Sequence, residues 1–166
     1  LTEVPAQLDT VSGSILNIRV GGNDLSHAFG LRRPANRTIY DLRPVADILI
    51  DIVAAFGTQY VVSGPVWEYY SGEGWEEGLR REMELDLLNG FTGKTVIHPN
   101  QIPVVNEMLR VSQRDYADAR AILNWDTGSG SLVSASEDGG RMNEYNTHSR
   151  WARRIVLRAE RYGVRA

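Results

Sequence analysis

The chain has 166 residues, a net charge of −3 and no cysteine. Disulfides and thiolate metal sites are therefore excluded, and the charge gives no general pull toward nucleic acid. Apolar residues make up 42 % and charged residues 23 %, a globular balance that argues against wholesale disorder. No apolar run reaches the roughly 18 residues a membrane helix needs.

Among the 18 basic residues Lys94 is the only lysine, so a Schiff-base mechanism would have to use it. Residues 141–166 carry a net charge of +5 and residues 1–140 a net of −8. A basic tail on an acidic body suggests contact between the two, or between one copy's tail and another's body. A solvated arginine-rich helix explains the tail equally well. The segment opening at Leu1 lacks the basic start and apolar core of a signal peptide. The expectation is a truncated or processed start and a reducing, cytoplasmic setting.

In chain order, Ser14 to Val20 reads as a short buried strand ended by Gly21-Gly22. A polar loop with Arg32, Arg33, Pro34 and Asn36 follows. Pro44 opens a helix whose apolar positions Val45, Leu49, Ile52, Val53 and Phe56 share one face, and Gly57 ends it. Tyr60 to Ser63 is a second strand and Trp75 to Leu88 a charged helix. Lys94 to Ile97 is a third strand, stopped by His98-Pro99. A short helix is expected over Gln101 to Leu109, then one over Gln113 to Asn124 capped by Ser112, with Asp115 at the capping-box position. Asp126 to Gly140 is rich in Gly and Ser and reads as loop. Asn146 or Thr147 caps a last helix that runs to about Tyr162 before Gly163.

Strands alternating with helices argue for a parallel sheet. No GxGxxG or GxxxxGK[ST] follows a strand, which removes support for a nucleotide-binding doubly wound domain. Polar groups gather just after each strand: Asn23 and Asp24, then Trp67 and Glu68, then His98 and Asn100. In a β/α barrel those positions form the catalytic rim, but a whole barrel takes about 250 residues.

The segment GFTGKTVIHPNQ, Gly90 to Gln101, resembles the GF-x-GK-x-x-IHP-x-Q signature of the citrate lyase beta-subunit-like family of C–C bond lyases. GGNDLSHAFGL, Gly21 to Leu31, resembles that family's G-x-x-DL stretch after the sixth barrel strand. DGGRMNEYNTHSRWARRIVLRA resembles its C-terminal arm, with Glu144 where a DG-x-M-I-D motif has its final aspartate. The wording GPVWEYYSG is similar to a divergent branch linked to tellurite and stress-resistance gene clusters. The resemblance implies an α/β chain holding the C-terminal portion of a TIM barrel, strands six to eight over residues 1–125. A helical arm, expected to reach a neighbouring subunit, follows over residues 126–166.

The resemblance also implies roles. Asp24 would be one of two carboxylates on Mg²⁺, a hard ion that prefers oxygen ligands; read from the residues alone, it equally caps a turn. The family's other ligand, a glutamate ending the fifth strand, and its third-strand arginine have no counterpart here. Trp67, Glu68 and Asn23 are candidate substrate-binding residues, against the alternative that the aromatic stretch only packs. Glu144 is the candidate acid, lengthened by one methylene relative to the family's aspartate, against the alternative of a helix-start charge. His98 is read as structural, and Lys94 as an ion-pair partner at the strand end away from the rim.

The expected activity is Mg²⁺-dependent C–C bond cleavage or formation on an oxo-acid or coenzyme A thioester. A homo-oligomer with arm exchange is expected, with no membrane or nucleic-acid partner. The rival reading is a non-catalytic half-barrel that serves assembly, and a third is a class I aldolase using Lys94.

Overall fold

The computed structural model describes residues 4–125, 133–136 and 139–165. They form two compact units, residues 1–108 and 109–166. The first is built on a parallel three-stranded sheet of β1 (Ile18–Arg19), β2 (Val62–Gly64) and β3 (Gly93–Lys94), in that spatial order. Ile18 lies opposite Val62, Arg19 and Gly93 both lie opposite Ser63, and Gly64 lies opposite Lys94. The helices of this unit are α1 (Val4–Asp9), α2 (Gly22–Ala28), α3 (Arg43–Phe56), α4 (Trp75–Leu88) and α5 (Gln101–Met108).

The α3 helix forms where the apolar spacing places it, with proline in its first turn and Gly57 after its last residue. It buries Val45, Leu49 and Phe56 against Val20, Ile39, Val62 and Phe91. Each such side chain contributes about 1.5–3 kcal/mol relative to exposure. The charged α4 helix also has a buried face, but that face mixes Leu79 and Met83 with Glu82 and Asp86.

The strands are shorter than the apolar runs suggested. Only Ile18–Arg19 of the expected Ser14–Val20 strand joins the ladder, and Ser12–Ser14 forms a 3-10 turn. Leu16 is 91 % exposed, so hydrophobicity without a packing surface did not extend the strand. Thr95 to Ile97 likewise falls outside β3. The residues after Gly21 were expected as loop and form α2 instead. Its first turn is closed by the Leu25 amide donating to the Gly21 carbonyl at 3.0 Å and the Ser26 hydroxyl to the Gly22 carbonyl at 2.9 Å.

The second unit contains β4 (Val111–Ser112), α6 (Gln113–Leu123), β5 (Val133–Ala135), β6 (Met142–Glu144), α7 (Tyr145–Tyr162) and β7 (Val164–Arg165). β4 pairs in parallel with β7, and β5 pairs antiparallel with β6. Ala119 and Ile122 of α6 form a core with Ala152, Ile155 and Ala159 of α7. The α6 helix was expected with the barrel portion that ended at residue 125. It packs instead on α7, because its apolar face matches the alanine-rich stripe of that helix.

The Ser112 hydroxyl accepts the Asp115 amide at 3.1 Å, as the capping pattern required. The last helix begins at Tyr145 rather than after Asn146 or Thr147. Within the expected Gly/Ser loop, residues 126–132 and 137–138 lie outside the described residues; Val133–Ala135 forms β5. No helix among the described residues is long and apolar enough to cross a membrane.

Candidate active site at the strand ends

The C-terminal ends of β1, β2 and β3 open into a cleft of about 370 Å³ lined by Arg19, Val20, Gly21, Gly22, Asn23, Asp24, Val66 and Thr95. Asp24 stands exposed in the first turn of α2. Its carboxylate folds back over Gly21 so closely that a Cβ there would collide with it. Gly22 is pinned between the next strand end and a loop: a Cβ at this position would lie 2.5 Å from Pro65 Cβ and 2.7 Å from Ile39 Cδ1. The two glycines thus let the backbone approach β2 and fix where Asp24 and Asn23 sit.

Behind this rim lies a buried charge cluster. Glu82 accepts hydrogen bonds from Lys94 Nζ at 2.8 Å, from Arg33 Nη2 at 3.2 Å and from the Ile39 amide at 2.8 Å. Lys94 Nζ also donates to Asp86 Oδ2 at 2.7 Å, and the Tyr40 hydroxyl donates to Asp86 Oδ1 at 2.7 Å. The side chains of Arg33, Glu82 and Lys94 have no exposed surface. Burial raises the pKa of Asp86 above the ordinary carboxylate range, against the pull of Lys94. Burial and the neighbouring Asp86 raise the Tyr40 phenol far above its usual value. Two cations facing two carboxylates make the cluster balanced in formal charge.

Lys94 lies level with Gly64 at the C-terminal end of the short ladder, not at the end away from the rim. It is nevertheless an ion-pair partner: its amine is buried under two carboxylates of α4. Sequence reasoning did not single out Glu82 and Asp86. The available signal was their four-residue spacing on the face that carries Leu79 and Met83.

The residues after β2 form a buttress. Trp67 is wholly buried, donates its indole N–H to the Trp75 carbonyl at 2.9 Å, and lies under the Arg33 guanidinium, 5.1 Å from the ring centre. It presents no surface to a substrate here; the burial follows from Gly78, where a Cβ would strike the indole. Glu68 accepts from Arg32 Nε at 2.9 Å and lies 3.8 Å from Arg33 Nη1. Neither Trp67 nor Glu68 lines the cleft, whereas Asn23 does.

The signature segment is also largely structural. Gln101 donates to the Trp67 and Tyr69 carbonyls, both at 2.9 Å, and accepts the Ile97 amide at 2.9 Å. The His98 ring stacks on Tyr70 with centres 4.3 Å apart, and its Nδ1 accepts the Asn100 amide at 3.2 Å. Glu144 belongs to the second unit, immediately before α7. Its amide donates to His148 Nδ1 at 3.0 Å, and its carboxylate accepts the Thr147 hydroxyl at 3.3 Å.

The donor set of the cleft, one carboxylate with the Asn23 amide and the Thr95 hydroxyl, is all oxygen-bearing and of the kind a magnesium ion takes while keeping several waters. No group of three or more His, Asp or Glu among the described residues forms a closed metal cage. These strand-end features coincide with a match to the C–C bond lyases of the TIM-barrel fold over residues 1–164.

The chain belongs to that family.

The chain is 38 % identical over 74 residues to an L-malyl-CoA/beta-methylmalyl-CoA lyase of Cereibacter sphaeroides, covering 43 % of this chain and 22 % of that one. The same enzyme from another strain is 36 % identical over the same length. CitE of Mycobacterium tuberculosis, solved in complex with magnesium, acetoacetate and coenzyme A, superposes with a TM-score of 0.61 and 28 % identity, over 87 % of this chain and 52 % of that one. The chain thus spans about half of that structure, and its match covers less than a quarter of the malyl-CoA lyases.

Proposed function

We propose that this chain supplies the sixth to eighth strands and the C-terminal arm of a Mg²⁺-dependent lyase that breaks or makes a C–C bond in an oxo-acid or acyl-CoA substrate. The observation that carries this is an exposed carboxylate, Asp24, set by two close-packed glycines into a strand-end cleft of a chain in the TIM-barrel lyase family. Magnesium held at Asp24 would polarise the substrate carbonyl and stabilise the enolate left when the bond breaks. Asn23 would orient the bound carbonyl, and Glu68 with Trp67 would hold the loop after β2 that walls the site. Glu144, carried by an arm exchanged with another copy, would deliver the proton that quenches the enolate. A homo-oligomer in the cytoplasm fits this reading, as does the absence of cysteine. With one carboxylate in the cleft, the 166 residues by themselves are expected to bind Mg²⁺ weakly and to turn over no substrate.

The test is Mg²⁺-dependent cleavage of malyl-CoA by the parent protein. Asp24→Ala should lower kcat/KM by a hundredfold or more, and Glu144→Gln should lower kcat with KM little changed. Full activity in Asp24→Ala would refute the metal assignment.

A further inference from the structure

The start of α7 departs from an ordinary helix cap. Glu144 is its N-cap, in extended backbone conformation, and the Glu144 carboxylate bonds none of the helix amides. N-caps are ordinarily Ser, Thr, Asp or Asn, whose side-chain oxygen takes one of those amides. Here the cap runs in reverse. The His148 ring, one helical turn on, accepts the Glu144 amide on Nδ1 at 3.0 Å, much as the glutamate of a capping box reaches back to its N-cap. An acceptor at Nδ1 places the ring proton on Nε2. The carboxylate is left to the Thr147 hydroxyl, which donates to Oε2 at 3.3 Å in an exposed bond.

The chain before Glu144 is held as firmly. Asn143 is buried and donates to Asp118 Oδ1 at 3.1 Å, and Arg141 Nε donates to Asp118 Oδ2 at 2.6 Å. The Glu144 backbone thus stands between an anchor on α6 and an anchor on α7, and its acid group is spent on neither. A glutamate that served only to start the helix would turn its carboxylate onto the open amides. Its side chain also has one more rotatable bond than an aspartate, so its reach depends more strongly on a fixed backbone.

We infer that His148 is a positioning residue for the acid of the arm: its Nδ1 closes the cap on the Glu144 backbone and leaves the carboxyl group to be presented to the enolate. This rests on the lyase reading with Glu144 as its acid. In that step the O–H bond of the Glu144 carboxyl breaks, a C–H bond forms at the enolate carbon, and the carboxylate regains a proton from solvent. His148 itself exchanges no proton with the substrate.

The experiment is steady-state cleavage of malyl-CoA by the parent protein with Mg²⁺, in H₂O and in D₂O. His148→Ala should lower kcat about tenfold with KM little changed, and should raise the solvent isotope effect on kcat because proton delivery becomes slow. A variant that is merely unfolded in part loses active molecules and keeps the wild-type isotope effect. His148→Asn should restore most of kcat, since its Oδ1 stands as many bonds from Cα as Nδ1 does and accepts the same amide. In a Glu144→Gln background His148→Ala should produce no further fall. Wild-type kcat in His148→Ala, a fall with an unchanged isotope effect, no rescue by His148→Asn, or an equal further fall beside Glu144→Gln would each overturn the inference. Full activity in Glu144→Gln removes the acid and the inference with it, whereas a fall there beside an unaffected His148→Ala removes the inference alone.

Discussion

Glu82 shows how a single side chain organises the first unit. It joins Lys94, Arg33 and the Ile39 amide, and the Ile39 side chain in turn packs where Gly22 leaves space. Replacing it with alanine leaves two buried cations short of a partner, so Glu82→Ala is expected to cost about 3–5 kcal/mol in urea unfolding. Tyr40 gives a second expectation. Its phenol is raised by burial and by Asp86, so the unfolded chain ionises first. The stability this hydroxyl supplies is complete below the ordinary tyrosine value of about 10 and declines as pH rises beyond it. Alkaline melts should show that decline, and Tyr40→Phe should flatten it. Gly64 is fixed by the same cluster: an added Cβ would lie 2.5 Å from Asp86 Oδ2 and 2.8 Å from Asp86 Cγ. Gly64→Ala should destabilise by about 1–3 kcal/mol on the same assay.

At the level of helices and strands, the longer periodic segments were readable and the short ones were not. The Trp75–Leu88 helix was read to the residue, and the capping of α6 followed from Ser112. The α2 helix was missed because Gly21-Gly22 reads as a breaker and seven residues carry too little periodicity. The β5–β6 pair was missed because each strand has three residues and most of them are polar or exposed, so no alternating apolar pattern marks them. The α6 helix is also tied to the β6 segment by Arg141, which reaches Asp115 at 2.8 Å and also bonds Asp118, whose other oxygen accepts from Asn143 at 3.1 Å. Burial works against the ionised form of Asp115, but Arg141 and Ser112 outweigh it and hold its pKa below the ordinary value. Its stabilisation is present above about pH 3.9 and is lost as pH falls through its lower folded value. Acid melts should therefore steepen in that window, and Asp115→Asn should reduce the slope.

Across the chain as a whole, function and fold draw on different residues. Asp24 is exposed, with its carboxylate folded back against Gly21. Asp24→Asn should leave metal-free unfolding within about 0.5 kcal/mol of wild type while removing Mg²⁺-induced stabilisation of the parent protein. The signature around His98 behaves in the opposite way. Gln101 and Lys94 are buried ties between segments, so their replacement should be read in melts before it is read in kinetics.

The sequence by itself determined the strand–helix alternation, the placement of Asp24 after the first strand and the family, because periodicity, turn residues and a dense motif are local signals. Tertiary structure alone decided three further points. Trp67 is a buried prop and not a cleft residue, α6 packs with α7, and the charges of the α4 helix face inward. Each depends on partners brought together from distant parts of the chain: Arg33 on Trp67, α7 on α6, Lys94 on Glu82 and Asp86. A charged residue in a helical pattern reads as solvated until the opposite charge that buries it is seen.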